Sequence, residues 1–221
     1  MIYRTKGLTS KTYDHILKMI MNKELMPGDR IPEQKISQEK KISRTPVRDA
    51  MRQLANEGLI DILPNKSATV ADYKQDTIRD IGLMRIAMES MAIKLVALYG
   101  SRADFLHLRE IAQNCSDACK AGDYVMRVKY DTDFHLEFAN ISGNYLLKKY
   151  QEELYLRVQF ILIHHPNPVG DEPKHIQEHF DIVDALIDFD VKNALRTMVN
   201  HLASFYDLRG KFDESFFETL F

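Results

Sequence analysis

The sequence predicts a mainly α-helical protein, with a winged helix-turn-helix over residues 1–72 and an all-helical bundle over residues 73–221. Three observations predict it. The segment from Ile42 to Leu54 combines a helix start, a buried stripe and a regular row of arginines. Two short apolar runs suited to a small wing follow it. From Gln75 onward strand signals are nearly absent and helical spacing dominates.

Tyr13, Ile16, Leu17 and Ile20 make an apolar stripe at helical spacing, and Met26-Pro27-Gly28 stops it. A short helix from about Glu33 to Lys40 follows, with Ile36 facing inward, and a tight turn leads into a third helix. There Ser43 or Thr45 can cap the unpaired amides, and Pro46 is tolerated because a first-turn N–H has no helical partner to lose. Val47, Ala50, Met51 and Leu54 would bury one face, while Arg44, Arg48 and Arg52 recur every four residues beside it. Such a row, taken alone, is more often a solvated helix face. Here it begins where a recognition helix meets the major groove, and guanidinium suits guanine edges and phosphates. Gly58 suits a left-handed helix end. Leu59 to Leu63 then alternates like a strand, Pro64 to Ser67 makes a turn, and Ala68-Thr69-Val70 returns.

Residues about 8 to 72 resemble the DNA-binding domain of GntR-family transcription regulators. The resemblance rests on Pro27-Gly28-Asp29-Arg30-Ile31, Ser43-Arg44-Thr45-Pro46-Val47-Arg48 and Glu57-Gly58-Leu59-Ile60. It implies phosphate or base contacts from Ser43, Arg44, Thr45 and Arg48, with wing contacts near Asn65 and Lys66. Three positions depart from the family pattern: Gln34 where Arg is frequent, Lys41 where Gly is common in the turn, and Ser67 in place of a wing Gly.

The net charge of −2 hides an asymmetry: residues 1–72 carry +4 and the remainder −6. A basic amino-terminal third beside an acidic body suits a DNA reader attached to something that does not touch DNA. One copy would neutralise few phosphates, so a homodimer on a two-fold operator is expected. Cys115 and Cys119, the only cysteines, lie four apart on a helical segment and read as small packed or surface residues rather than a redox pair. No run of eighteen apolar residues and no signal-peptide core is present, so a cytoplasmic protein without a membrane role is expected.

Six helices are predicted in the bundle, at about 75–99, 103–121, 123–141, 144–164, 175–188 and 191–208, with Gly100, Gly122 and Gly143 closing the first three. Asp131 and His135, four apart, share a helix face. His179 and His201 each lie 11 residues from Asp190, one before it and one after. Were Asp190 the bend of an antiparallel hairpin, both imidazoles would stand at one level, about 16 Å from it. Facing bundle helices that offer imidazole and carboxylate can hold a divalent cation. Spacing alone leaves each His equally open as a packed core residue.

Residues about 76 to 208 resemble the all-helical FCD effector domain of the FadR-like GntR branch. The matching motifs are Arg85-Ile86-Ala87-Met88-Glu89, Asp131-Thr132-Asp133-Phe134-His135, Ser142-Gly143-Asn144-Tyr145-Leu146-Leu147, and His179 through Ala185-Leu186 to His201-Leu202. The resemblance implies a divalent cation (zinc, nickel or manganese) on Asp131, His135, His179 and His201. It also implies a small organic-acid effector, for which Arg85, Arg157 and Asn144 are candidate contacts; Asn144 equally suits a helix cap. Met84, Met88 and Met91 read as core, His164 and His165 as incidental, and the Phe-rich tail from Phe212 as a cover for an apolar groove or a partner. The expected function is a ligand-responsive transcription regulator, a repressor, and not an enzyme. A metal-dependent hydrolase built on the same Asp/His set is the alternative.

Overall fold

The computed structural model describes residues 7–63, 67–165 and 172–218. The chain forms two compact units, which divide at Lys74 and Gln75, with residues 160–166 grouping with the first. In that first unit α1 (Leu8–Met21), α2 (Glu33–Lys40) and α3 (Arg44–Asn56) precede a two-stranded antiparallel wing, β1 (Ile60–Asp61) and β2 (Thr69–Val70). Ile60 pairs with Val70 and Asp61 with Thr69, while Arg30 adds a bridge to Thr69. Tyr13, Ile16 and Ile20 of α1 are buried with Ile36 of α2 and the Val47, Ala50, Met51, Leu54 stripe of α3, and Leu59, Ile60 and Val70 complete this core. Leu17, expected in the stripe, is only half-buried. The wing tip, including Pro64, Asn65 and Lys66, lies outside the described residues.

Lys41 closes α2 in the left-handed conformation (φ 52°, ψ 45°). Its N–H reaches Gln38 O and the Ile42 N–H reaches Ser37 O, which satisfies two of the last carbonyls. A side chain with a Cβ costs roughly 1–2 kcal/mol there. Lys41→Gly removes that strain but frees the unfolded chain, by about 0.4–1 kcal/mol. The net expectation is a gain of about 0.5–1 kcal/mol, read as a higher urea midpoint at unchanged slope; an unmoved midpoint would show the strain to be absorbed elsewhere.

The second unit holds α4 (Gln75–Tyr99), α5 (Arg102–Lys120), α6 (Tyr124–Ile141), α7 (Tyr145–His164) as far as Gln159, α8 (Glu172–Ile187), α9 (Val191–Phe205) and α10 (Glu214–Glu218). Its starts are capped as short polar residues cap. Ser101 and Asp104 form a reciprocal capping box on α5, and Asp123 and Asp190 accept from first-turn amides of α6 and α9. α5 packs on α6 and α8, α8 on α9, and α4 on both α6 and α9. The fit is tight where the chain leaves α9: a Cβ on Gly82 would lie 2.4 Å from Tyr206 Cγ. Phe134, Phe138, Tyr155, Ile182, Leu195 and Met198 fill the centre.

One expectation is corrected here, and the Phe-rich tail is placed. Met84 and Met91 are 56% and 42% exposed, so α4 turns part of its apolar surface outward instead of into its own core. The Phe-rich tail forms α10 against α9, burying Phe217, over whose ring the Arg196 guanidinium lies at 5.5 Å; Phe221 falls outside the described residues. No described helix is long and apolar enough to cross a membrane.

Candidate functional site

α3 starts at Arg44 with Ser43 in the cap position, yet the Ser43 side chain accepts no hydrogen bond from the helix. Its hydroxyl and the first-turn amides therefore remain on the surface with Arg44, Thr45 and Arg48, all exposed. Among the described residues no carboxylate pairs with Arg44. Arg48 Nε donates to Glu33 Oε1 of α2 at 2.8 Å, and Arg52 pairs with Asp49 at 3.1 Å within α3. Two cationic side chains thus stand at the positive end of one helix dipole, where an anion is favoured.

In the second unit, α6 supplies Asp131 and His135, α8 supplies His179 and α9 supplies His201, and all four are buried. One ligand atom from each lies within 4.8 Å of the other three. His179 Nε2 is 3.3 Å from His201 Nε2 and 3.6 Å from Asp131 Oδ1. Around a tetrahedral ion with Zn–N of about 2.0–2.1 Å, neighbouring donors stand about 3.4 Å apart. His135 presents Nδ1 to Glu89 Oε2 at 2.6 Å, which leaves its Nε2 buried and without a partner among the described residues. An orphaned imidazole nitrogen beside two others and a carboxylate is a donor set that fits a divalent cation.

Electrostatics keep these rings in the ligand form. Burial pushes the His135 and His179 pKa values well below the ordinary imidazole value of 6.5. The Arg85 guanidinium adds to this at His135, and His201 and His135 add to it at His179. Both rings are therefore neutral at neutral pH, with a lone pair to give. Outer carboxylates aim them: Glu89 holds His135 by Nδ1, and Glu178 Oε2 holds His201 Nδ1 at 2.9 Å. Burial would raise the Glu178 pKa, but hydrogen bonds from His175 and His201 outweigh it, and the carboxyl stays well below its usual range. Metal-binding imidazoles commonly carry such partners, which set the tautomer and ring orientation.

Arg85 belongs to the same buried group. Its Nε donates to Glu89 Oε1 at 2.7 Å and to the Tyr155 hydroxyl at 2.9 Å, and Nη1 reaches the Tyr206 hydroxyl at 3.4 Å. A two-pronged grip on a carboxylate through the Nε edge is thus taken up by Glu89. Only Nη2 is buried without a partner among the described residues. Asn144 takes the helix-cap role: it is exposed, and its Oδ1 accepts from the Leu146 and Leu147 amides at 3.1 Å at the start of α7. Arg157 is half-buried, two residues past Tyr155, and two helical residues turn about 200°.

Spacing did not reveal Glu89, Tyr155, Glu178 or His175. For two of them a signal existed. Glu89 is four residues from Arg85, and His175 is four from His179, each pair sharing one helix face.

A wing, an arginine-bearing helix start and a separate helical body point to the class of DNA-binding transcription regulators. Residues 8–70 match the bacterial regulatory proteins of the gntR family, and residues 80–204 match the FCD domain. The chain belongs to the GntR-family regulators of the FadR-like branch that carry this domain. It is similar to the Nta operon transcriptional regulator of Aminobacter aminovorans, with 28% identity over 64% of this chain and 67% of that one. The HTH-type transcriptional repressor NanR of Citrobacter rodentium is 28% identical over 90% of this chain and 84% of its own. The fold matches Escherichia coli McbR/YncC with a TM-score of 0.73 at 21% identity, over 90% of this chain and 95% of that one. A GntR regulator from Rhodococcus sp. RHA1 gives 0.79 at 16%, over 93% and 99%. The relatives are DNA-binding regulators, not enzymes, and the hydrolase alternative is set aside.

Proposed function

We propose that the protein is a repressor that grips a two-fold operator as a homodimer and releases or tightens that grip when a small carboxylic acid meets a divalent cation in the helical unit. The convergence of Asp131, His135, His179 and His201 within 4.8 Å carries this reading. These four residues hold the ion, be it zinc, nickel or manganese, and Glu89 and Glu178 orient two of the rings. When bound, such an ion supplies a Lewis-acidic docking point for a carboxylate oxygen. The unpartnered Nη2 of Arg85 supports an acidic effector, because it can donate one charge-assisted bond. Arg44 and Arg48 read or grip the DNA, joined by Ser43 and Thr45, with the wing residues Asn65 and Lys66 as further contacts.

Dimerisation is supported by α4, whose Leu83, Met84, Met91 and Leu98 are exposed in the single chain. An apolar stripe of this kind is covered in a two-fold assembly by the same stripe of a second copy. Repression is supported by likeness to a relative named as a repressor. An acid can move DNA affinity only through unequal affinity for the two dimer arrangements, and about 1–3 kcal/mol of coupling suffices for a switch.

Thermal shift with a panel of small mono- and dicarboxylic acids, with and without added zinc, nickel or manganese, tests the pocket. A ligand at a hundred times its Kd stabilises by about 2.7 kcal/mol, which at about 2–4 °C per kcal/mol raises Tm by roughly 5–10 °C. The expected rise requires both acid and metal. Equal stabilisation by an acid in chelator-treated and metal-loaded protein would overturn the metal-centred pocket.

A further inference from the structure

We propose that His175 Nδ1, Glu178 Oε2 and His201 Nδ1 form an outer divalent-cation subsite, half open to solvent, through which the ion reaches the buried set. The proposal rests on the metal reading above. The three atoms form a closed triangle, with His201 Nδ1 2.9 Å from Glu178 Oε2 and 3.3 Å from His175 Nδ1, and the remaining edge 3.4 Å. A cation at about 2.0–2.2 Å from nitrogen and oxygen donors holds neighbouring donors about 3–3.5 Å apart; two edges fall in that range, and the His201–Glu178 edge lies just below it. α8 supplies two corners from one face, since His175 and Glu178 are three residues apart, and α9 supplies the third, His201.

His201 links the two sets. Its Nε2 faces His179 on the inner side, and its Nδ1 faces His175 and Glu178 on the outer side. A neutral imidazole has a lone pair on one nitrogen and a proton on the other. An ion on Nε2 therefore leaves the proton on Nδ1, where it donates to Glu178. An ion on Nδ1 puts the proton on Nε2 and takes His201 out of the inner set. A neutral His201 can therefore serve only one of the two subsites at a time, and an ion passes inward as the ring exchanges one nitrogen for the other.

Exposure follows the route. The side chains of His175, Glu178, His201 and His179 are 22%, 18%, 6% and 1% exposed, and His135 is 0%; of the inner donors Asp131 keeps the most exposure, 11%. A four-donor set this dry needs a way in for a hydrated cation, and a partly exposed triad that shares one ring with it supplies one.

Stopped-flow uptake of Zn²⁺, and its release to a chelator, test this on the full chain. His175→Ala removes a half-exposed side chain and spares all four inner donors. The variant is expected to keep one Zn²⁺ per chain at an affinity within about threefold of the parent, while uptake and release both slow about tenfold. Unchanged rates overturn the subsite. In an Asp131→Asn background, which weakens the inner set, adding His175→Ala should lower Co²⁺ affinity about tenfold or more; an effect no larger than in the parent also overturns it. A parent that takes up no Zn²⁺ at equilibrium strikes the inner reading and this one together, whereas a Zn²⁺-binding parent with an indifferent His175→Ala variant strikes the outer subsite alone.

Discussion

Arg48→Ala should abolish specific operator binding while the protein stays folded. Each bidentate arginine–guanine pair is worth about 1–3 kcal/mol of discrimination. In the proposed two-fold dimer such a pair would be lost twice, so affinity should fall roughly thirtyfold or more. The side chain is exposed and its ion pair with Glu33 is a surface pair, so stability should change by no more than about 0.5 kcal/mol. Arg44→Ala should weaken binding too, with a shallower salt dependence if Arg44 meets phosphate instead of a base. The Glu33 carboxylate lies beside the same helix start and competes with DNA for Arg48. Glu33→Gln should therefore strengthen binding several-fold, an effect a purely structural Glu33–Arg48 pair would not produce. Gel-shift titrations across a salt series, with circular dichroism on each variant, check all three. Unchanged operator affinity in Arg48→Ala would remove α3 as the reading helix.

Much of this arrangement was legible because it is local. The Val47, Ala50, Met51, Leu54 stripe needs only a 3.6-residue period, and all four are buried. Asp131 and His135 share a face because they are four apart, and His179 and His201 meet because a hairpin with Asp190 at its bend sets them at one level. What stayed hidden is non-local or depends on surroundings. Glu89 reaches His135 across 46 residues of chain, and no periodicity announces such a partner. The Met84 and Met91 spacing says that a face of α4 is apolar, not whether its own bundle covers it. Arg85 looked available because a sequence shows a guanidinium without the carboxylate that has claimed it. Lys41 holds the left-handed position by virtue of the bonds closing α2, which a Gly would hold without strain. α10, five residues long, is too short to show a helical period.

His135→Ala should lose the bound cation, and the reason extends beyond one missing donor. The substitution removes an inner nitrogen and takes from Glu89 the ring that it orients, in a region where every neighbour is buried. Zinc affinity should fall by more than a hundredfold, against about 10–100-fold for Glu89→Gln, which keeps the ring but weakens its anchor. Because a buried side chain is lost, the metal-free variant should also be less stable, so His201→Ala at the edge of the set serves as the second test, read by elemental analysis and competition with a chelator. The parent's pH dependence adds an independent check. The His135 and His179 pKa values are depressed in the folded state, so unfolding takes up protons at those rings below the ordinary imidazole value of 6.5. The stability they contribute is complete above that value and is lost as the pH falls through the lowered folded values. Metal-free protein should therefore show a Tm that is level above about pH 6.5 and declines on acidification below it. Added zinc should raise Tm strongly above that pH and progressively less below it, since the ion competes with protons for the same lone pairs. A zinc-induced rise that survives unchanged at pH 5, or persists in His135→Ala and His201→Ala, would place the ion elsewhere.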